Sequence, residues 1–384
     1  PALVPLRPYQ SSALLALAAY LLAGDKGGKP FLANKYTQFF LLFVTMQIMS
    51  ASSIWLRAGW EILFVWLNYI IIFFLIVKES TDVHRIRKLS FIIVAALVYL
   101  SYDSIRRYEP GVRASGFGWY ENANDVVLIL VTVIPLVFYL IETSQHKLWR
   151  YLYFIIAVLF TINIFLCGSR QGLLGLVIVG IPSLISMKGI PKLFRTSLSV
   201  ALMIAIFTTG FAVVLQRGDL GGGLTGDESS ESRIVQWKAC LRMLEDHPIL
   251  GIGPGESAGA MRDYGGVRGL PPHNTLIQIF AETGIPGGIF FALFTCYPLW
   301  QAWKYFRRKK RQGRALSPAD MTYRYLIISL TGFWVCAFFS NRVTFSILYV
   351  LIAMIVAIQE NVFETEVISH AEYSGNKKFE NVEA

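Results

Sequence analysis

Eleven apolar runs of roughly 15 to 20 residues divide this chain, and that length is what an α-helix needs to cross the hydrocarbon of a bilayer. They fall near 11–23, 36–55, 59–77, 89–102, 125–142, 151–166, 172–187, 196–215, 285–303, 322–339 and 343–359. None alternates apolar and polar residues as a barrel strand must. With 54% hydrophobic and only 16% charged residues, the apolar surface exceeds what one water-soluble core could hide. The expected fold is all-α, a polytopic transmembrane helical bundle of about 11 to 12 spans. The chain opens Pro1-Ala2-Leu3 and not on methionine, so the span count is taken as a minimum. Residues 1–10 lack the basic start and small-residue cleavage site of a secretory signal.

Orientation follows from Lys and Arg, because short basic loops are retained on the cytoplasmic side. The run KYFRRKKRQGR, Lys304 to Arg314, sets one loop as cytoplasmic, and every second loop counted from it is also basic. These loops hold Lys26, Lys29 and Lys35; Lys78, Arg85, Arg87 and Lys88; Lys147 and Arg150; Lys188, Lys192 and Arg195. The polar tail 360–384 falls on the same side. The other loops, 103–124, 167–171, 216–284 and the turn at Asn341-Arg342, are then external. They carry Arg113, Asn122, Asn124, Asp125, Ser169, Arg170, Gln171, Arg217, Arg233, His247, His273 and Glu282. Arginines on this face run against the topological bias, so something other than topology holds them there. The resulting organisation is 1–215 as N-terminal helices, 216–284 as a long periplasmic segment with short helices, 285–359 as C-terminal helices and 360–384 as a cytoplasmic tail.

Within the external segment, residues 218–232 are rich in Gly, Ser and acids and read as a loop. Apolar residues at Ile234, Trp237, Leu241 and Leu244, with Ser232 as N-cap, predict a surface helix over about 233–246 that His247 caps at its C-terminus. The following LGIGPGES is not a dinucleotide fingerprint, which requires a strand before it and a helix after it, whereas Pro254 interrupts these glycines. Gly251, Gly253 and Gly255 predict a tight turn returning the chain to the membrane surface, with an amide nest for an anion as the alternative. Pro271-Pro272 then places His273 at the start of a short amphipathic helix, HNTLIQIFAE, that breaks at 284–288. A neutral imidazole can take a proton from a hydroxyl near pH 7, and arginines on the same face can hold phosphate bidentately.

Taken together, CGSRQGLLG from Cys167, Ser232-Arg233-Ile234 with Trp237, HPILGIGPG from His247, His273-Asn274 and Ala281-Glu282-Thr283-Gly284 resemble the O-antigen ligase and Wzy-type polymerase superfamily. Asn122-Ala123-Asn124-Asp125 is similar to the "NPND" element of those proteins, with Ala123 where proline is usual, and Arg170-Gln171-Gly172 replaces the commoner Arg-Gly-Gly. The likeness spans most of residues 110–300. It implies a GT-C-type membrane glycosyltransferase of the bacterial inner membrane, with its active site facing the periplasm. Such an enzyme moves a glycan from an undecaprenyl diphosphate carrier to an acceptor hydroxyl. The acceptor is lipid A-core in the ligases, a second carrier-linked glycan in the polymerases and a protein side chain in the O-oligosaccharyltransferases. These motifs do not separate the branches.

On that resemblance Arg170 and Arg233 clamp the diphosphate, with Arg217, Arg113, Asn124 and Asn274 as further substrate-binding residues. His273 deprotonates or orients the acceptor hydroxyl, and Glu282 or Asn274 sets the imidazole. No Asp-x-Asp element stands in the external loops, so no metal and no cofactor are expected and arginine neutralises the leaving group. The four cysteines have neither disulfide nor metal-ligand spacing. The net charge of +10 comes mostly from the cytoplasmic loops, which predicts contact with anionic membrane lipid and no nucleic acid. A transporter or lipid flippase is the competing class. It requires ionisable residues midway along spans and paired broken helices, and only Gln47, Asn68 and Asn163 are polar within spans. A purely structural membrane subunit is a third reading, weakened by the arginines and histidine gathered on one face.

Overall fold

The computed structural model describes residues 8–23, 31–110, 112–187, 230–267 and 269–363, with residues 195–201 and a few isolated positions between 191 and 208. Arg217, the loop up to residue 229, most of the expected span 196–215 and the tail from 364 lie outside the described residues. Among the described residues every regular element is helical. The helices are α1 (Pro8–Ala23), α2 (Lys35–Ile54), α3 (Leu56–Glu79), α4 (Val83–Arg106), α5 (Ala123–Thr143), α6 (Lys147–Leu166), α7 (Arg170–Ser186), α8 (Ser230–Asp246), the single turn α9 (Ser257–Ala260), α10 (Thr275–Arg311), α11 (Pro318–Ala337) and α12 (Ser346–Ala357).

Six of these, α2 to α6 and α10, are long and apolar enough to cross a membrane, and the chain is a polytopic helical membrane protein. Shorter apolar helices cover Ser12–Ala23, Arg170–Ser186 and Ser346–Val362. Helix α11 has the length, at 20 residues, but opens on Asp320, Thr322, Tyr323 and Arg324. Its start is fixed by a capping box in which Ser317 and Asp320 satisfy each other's backbone amides.

Helix α5 is the hub, with 83% of its apolar window buried against α4, α6, α7 and α11. A helix that is apolar all round has no reason to face water, and here it faces neighbours instead of lipid. Close approach is set by small residues. A Cβ on Gly172 would meet Val127 Cγ1 at 2.4 Å, one on Gly175 would meet Val131 Cγ1 at 2.7 Å, and one on Gly332 would meet Val179 Cγ1 at 2.6 Å. In lipid, where burying apolar surface drives little association, such contacts supply the packing.

Helix α10 is broken at Gly284, whose φ of 71° and ψ of −174° lie where only glycine is comfortable. The break would strand the carbonyls before it, and the residues after α8 answer that need. Ile252 and Gly253 donate their amides to Ala281 O and Glu282 O at 3.0 Å each, while Ile285 N donates to Pro248 O at 2.8 Å. The two backbones touch: a Cβ on Gly251 would lie 2.3 Å from the Glu282 carbonyl carbon, and one on Gly284 would lie 2.4 Å from Ile249 O. The HPILGIGPG stretch is thus a strap across a broken helix.

This geometry gives a first testable result. Gly284→Ala combines backbone strain with a backbone clash and should cost about 3 kcal/mol or more. The thermal midpoint of the detergent-solubilised protein would show it. Gly259→Ala, where a Cβ meets open space, is the control and should melt like the native chain. A Gly284→Ala protein that also melts like the native chain would remove the strap from the account.

Two local expectations are corrected. Helix α8 begins at Ser230, so Ser232 lies inside it and is not the N-cap. Its buried face is Gln236, Ala239, Cys240 and Met243, whereas Ile234 and Leu241 are exposed. Ala239, Cys240 and Met243 form a small core with Met261 and Ala281, so a weakly apolar face wins because it is the one that meets α10. His247 lies exposed just past the helix, and among the described residues its side chain caps nothing.

Candidate functional site

The helix ends sort the chain into two faces. One carries the starts of α5, α7 and α10 and the turns after α6 and α11, and it gathers the polar residues singled out above. Hydrogen bonds tie these ends together. Gln171 Nε2 donates to Asn124 O at 3.1 Å, Ser340 Oγ donates to Gln171 Oε1 at 3.2 Å, and Thr275 Oγ1 donates to Ser340 O at 2.7 Å while accepting from Arg342 N at 3.1 Å.

The "NPND"-like element is a helix start. Asn122 caps α5 by accepting from Asn124 N at 2.8 Å, which makes Ala123 the first helical residue. Proline is well suited to that position, since its missing N–H would be unpaired there anyway, and alanine serves equally. Asn124 Oδ1 accepts from Arg113 Nη2 and from Ser169 Oγ, both at 2.8 Å, and Arg113 Nε donates to Cys167 O at 2.8 Å. Arg113 and Asn124 therefore brace the Cys167–Gln171 turn. That turn presents Arg170, the first residue of α7, which is exposed and makes no hydrogen bond or ion pair among the described residues.

His273 stands one residue before the cap of α10. Asn274 Oδ1 accepts from Leu276 N at 3.1 Å and Ile277 N at 3.0 Å, so its side chain is spent on the helix start and not on the imidazole. His273 has φ of 46°, the one positive φ outside glycine among the described residues. A side chain held in the left-handed region at a helix start marks a position that the surroundings over-determine, which is common at working sites.

Helix α8 lies against this start. Trp237 Nε1 donates to Pro272 O at 2.7 Å, and its ring packs edge-on against Phe338 with centroids 5.8 Å apart. Arg233, one turn earlier on the same face, thereby comes close enough to the imidazole for its charge to act on it. Its Nε is buried with no hydrogen-bond partner among the described residues. A second arginine acts on the ring too: Arg342, which meets Asp125 side-on, Nε to Oδ1 at 2.5 Å and Nη2 to Oδ2. Burial first, then Arg233 and Arg342, push the His273 pKa down to about 4, so the ring is neutral at pH 7.

Glu282 is placed elsewhere. Its buried carboxylate accepts from Ser257 Oγ at 2.6 Å and Gln278 Nε2 at 2.9 Å, together with the backbone amides of Gly255 and Ser257. It fastens the glycine strap to α10 instead of orienting His273. The same contacts argue against an anion nest at these glycines, since a carboxylate of the chain already occupies the Gly255 amide. Asn163, polar within a span, accepts from Ser104 Oγ at 3.0 Å, a helix-to-helix bond and not part of a path. The four cysteines are free thiols, and burial raises that of Cys240 to about 12.

The arrangement missed from the sequence is the Arg342–Asp125 pair. Arg342 lies in the turn between α11 and α12, beyond the stretch with recognisable motifs, and only the expectation that this turn is external pointed to it.

Fold and site define a multi-pass helical membrane protein with a neutral histidine flanked by arginines at one end of its bundle. Residues 155–292 match the family model Wzy_C, described as O-antigen ligase, and this match supports the O-antigen ligase and Wzy-type superfamily. It takes in Arg170, Arg233, His273 and Glu282 and leaves out Arg113, Asn124, Asp125 and Arg342. Among curated proteins none matches the chain significantly.

Proposed function

We propose that the protein transfers a glycan from an undecaprenyl diphosphate-linked donor to an acceptor hydroxyl at the periplasmic face of the bacterial inner membrane, as a metal-independent, inverting, GT-C-type enzyme. The carrying observation is the neutral His273 ring on which Arg233 and Arg342 both act, the Nε of Arg233 being buried with no hydrogen-bond partner among the described residues. The match to the O-antigen ligase model supports ligase-like glycan transfer in general.

In this reading Arg233 holds the donor diphosphate, and Arg342, steadied by Asp125, supplies a second fixed positive charge. Arg170 approaches from the exposed start of α7, and Arg217 remains a candidate helper outside the described residues. The acceptor oxygen attacks the anomeric carbon, the bond from that carbon to the diphosphate oxygen breaks, and the hydroxyl proton passes to His273. One displacement inverts the anomeric configuration. Burial and two cations keep His273 unprotonated in the empty site. Donor binding neutralises the cations, raises the imidazole pKa toward its usual range and makes the ring a stronger base only once the donor is present.

Purified protein with a defined undecaprenyl diphosphate glycan and a panel of acceptors tests this directly. The panel comprises core lipid, a second carrier-linked glycan and a serine-bearing protein. Transfer to one of them, undiminished by EDTA, is the expected outcome, and the acceptor used names the branch. Loss of transfer in EDTA, or movement of the intact lipid across a reconstituted bilayer without transfer to any acceptor, would replace this reading.

A further inference from the structure

The end of the bundle opposite His273 holds a cavity of about 300 Å³ lined by Arg87, Ser144, Gln145, His146, Trp149 and Tyr153. Arg87 is half-buried near the start of α4 and makes no hydrogen bond or ion pair among the described residues. It lies close enough to Tyr153 for its charge to act on the hydroxyl. Tyr153 is 5% exposed, and its hydroxyl has no hydrogen-bond partner among the described residues. Tyr153 lines the cavity together with Arg87, so a cation and a phenol donor stand side by side there. Helix α6 starts at the same place, with His146 as N-cap and no side-chain cap bond, so its first amides also favour negative charge. Of the carboxylates at this end, Glu142 accepts from Tyr325 Oη at 2.6 Å, Glu79 and Asp82 pair with Arg85, and Asp320 pairs with Lys309. Beside the cavity Trp149 stacks on Tyr153 with centroids 5.9 Å apart and meets Phe91 edge-on at 6.2 Å. Phe91 and Trp149 are each about 40% exposed, an apolar surface continuous with a polar, cationic cavity.

We propose that this cavity is a headgroup site for an anionic phospholipid, its phosphodiester held by Arg87, Tyr153 and the start of α6 while its acyl chains lie along Phe91 and Trp149. A basic pocket between helices at the lysine- and arginine-rich end suits a leaflet that carries negative lipid. The site is separate from the glycan-transfer chemistry and stands without it.

Native mass spectrometry of the full chain in neutral detergent would test the proposal with phosphatidylglycerol, phosphatidylcholine and inorganic phosphate as probes. One phosphatidylglycerol should stay bound per chain, phosphatidylcholine should not, and millimolar phosphate should fail to displace the lipid. Arg87→Gln should weaken phosphatidylglycerol binding roughly tenfold. Tyr153→Phe, which keeps the ring and its stack, should weaken it roughly threefold. Lys310→Gln, on the other basic stretch, should leave it unchanged. Equal retention of phosphatidylcholine, or native affinity in both Arg87→Gln and Tyr153→Phe, would overturn the site. Displacement by phosphate would overturn the lipid as its source of phosphate.

Discussion

Replacing His273 with alanine is expected to lower glycan transfer by roughly 10²- to 10⁴-fold while donor binding stays near native, because the donor's charge is met by arginine and not by the imidazole. The backbone at this position is strained, so alanine changes more than the side chain's chemistry. His273→Asn separates the two effects: asparagine tolerates a positive φ and lacks a basic nitrogen. It should fold and bind donor like the native chain and transfer as poorly as the alanine variant. Native turnover in His273→Asn would remove His273 from the proton transfer. The pH profile adds a sign. The acid limb of kcat/KM reports the free enzyme, where His273 sits near pH 4, whereas that of kcat reports the donor complex, where neutralised arginines let the pKa rise. The limb for kcat should therefore lie at higher pH than the limb for kcat/KM. Coincident limbs would mean that donor binding does not relieve the arginines' effect on the ring.

The second large effect belongs to Arg233. Its buried Nε, without a hydrogen-bond partner among the described residues, asks for an acceptor, and the planar fork of guanidinium matches a phosphate in a way that an ammonium cannot. Arg233→Lys keeps the charge and should reduce kcat/KM for the donor by roughly 10- to 100-fold, with the acceptor's KM unchanged. Arg170→Lys should cost less, since that side chain is exposed. Arg233→Gln carries an additional signature: removing the cation with the larger effect on the ring makes the imidazolium less unfavourable, so the acid limb of kcat/KM should move to higher pH. Native donor affinity in Arg233→Lys would sink the clamp. An unmoved acid limb in Arg233→Gln would sink the link between the arginine and the histidine.

Much of this is legible in the sequence, and for identifiable reasons. Span length and lysine–arginine alternation are local properties, and they grouped the polar residues of α5, α7 and α10 on one face because each helix crossing reverses the chain. Backbone punctuation was equally local, so Gly284 and Pro286 marked a break in α10. The sequence also supplied His273 and Arg233 through motifs whose spacing places Trp237 one helical turn from Arg233.

What it did not determine is which polar groups end up as one another's partners. The family resemblance points to Glu282 or Asn274 as the group that sets the imidazole, yet Asn274 caps the amides of α10 and Glu282 ties down the glycine strap. Arg113 and Asn124, substrate-binding residues on the family resemblance, also bond to each other and to the turn that carries Arg170. The buried face of α8 went the same way, since hydrophobicity nominated Ile234 and Leu241 while contact with α10 selected Ala239 and Cys240. Arg342 reaches Asp125 across 217 residues, a distance that no local spacing encodes. Sequence by itself determines which segments are long and apolar enough to enter a bilayer, because transfer into lipid is decided segment by segment. Only the tertiary structure decides which charges remain open to a substrate, because a buried polar group takes whichever partner the packing brings within 3 Å.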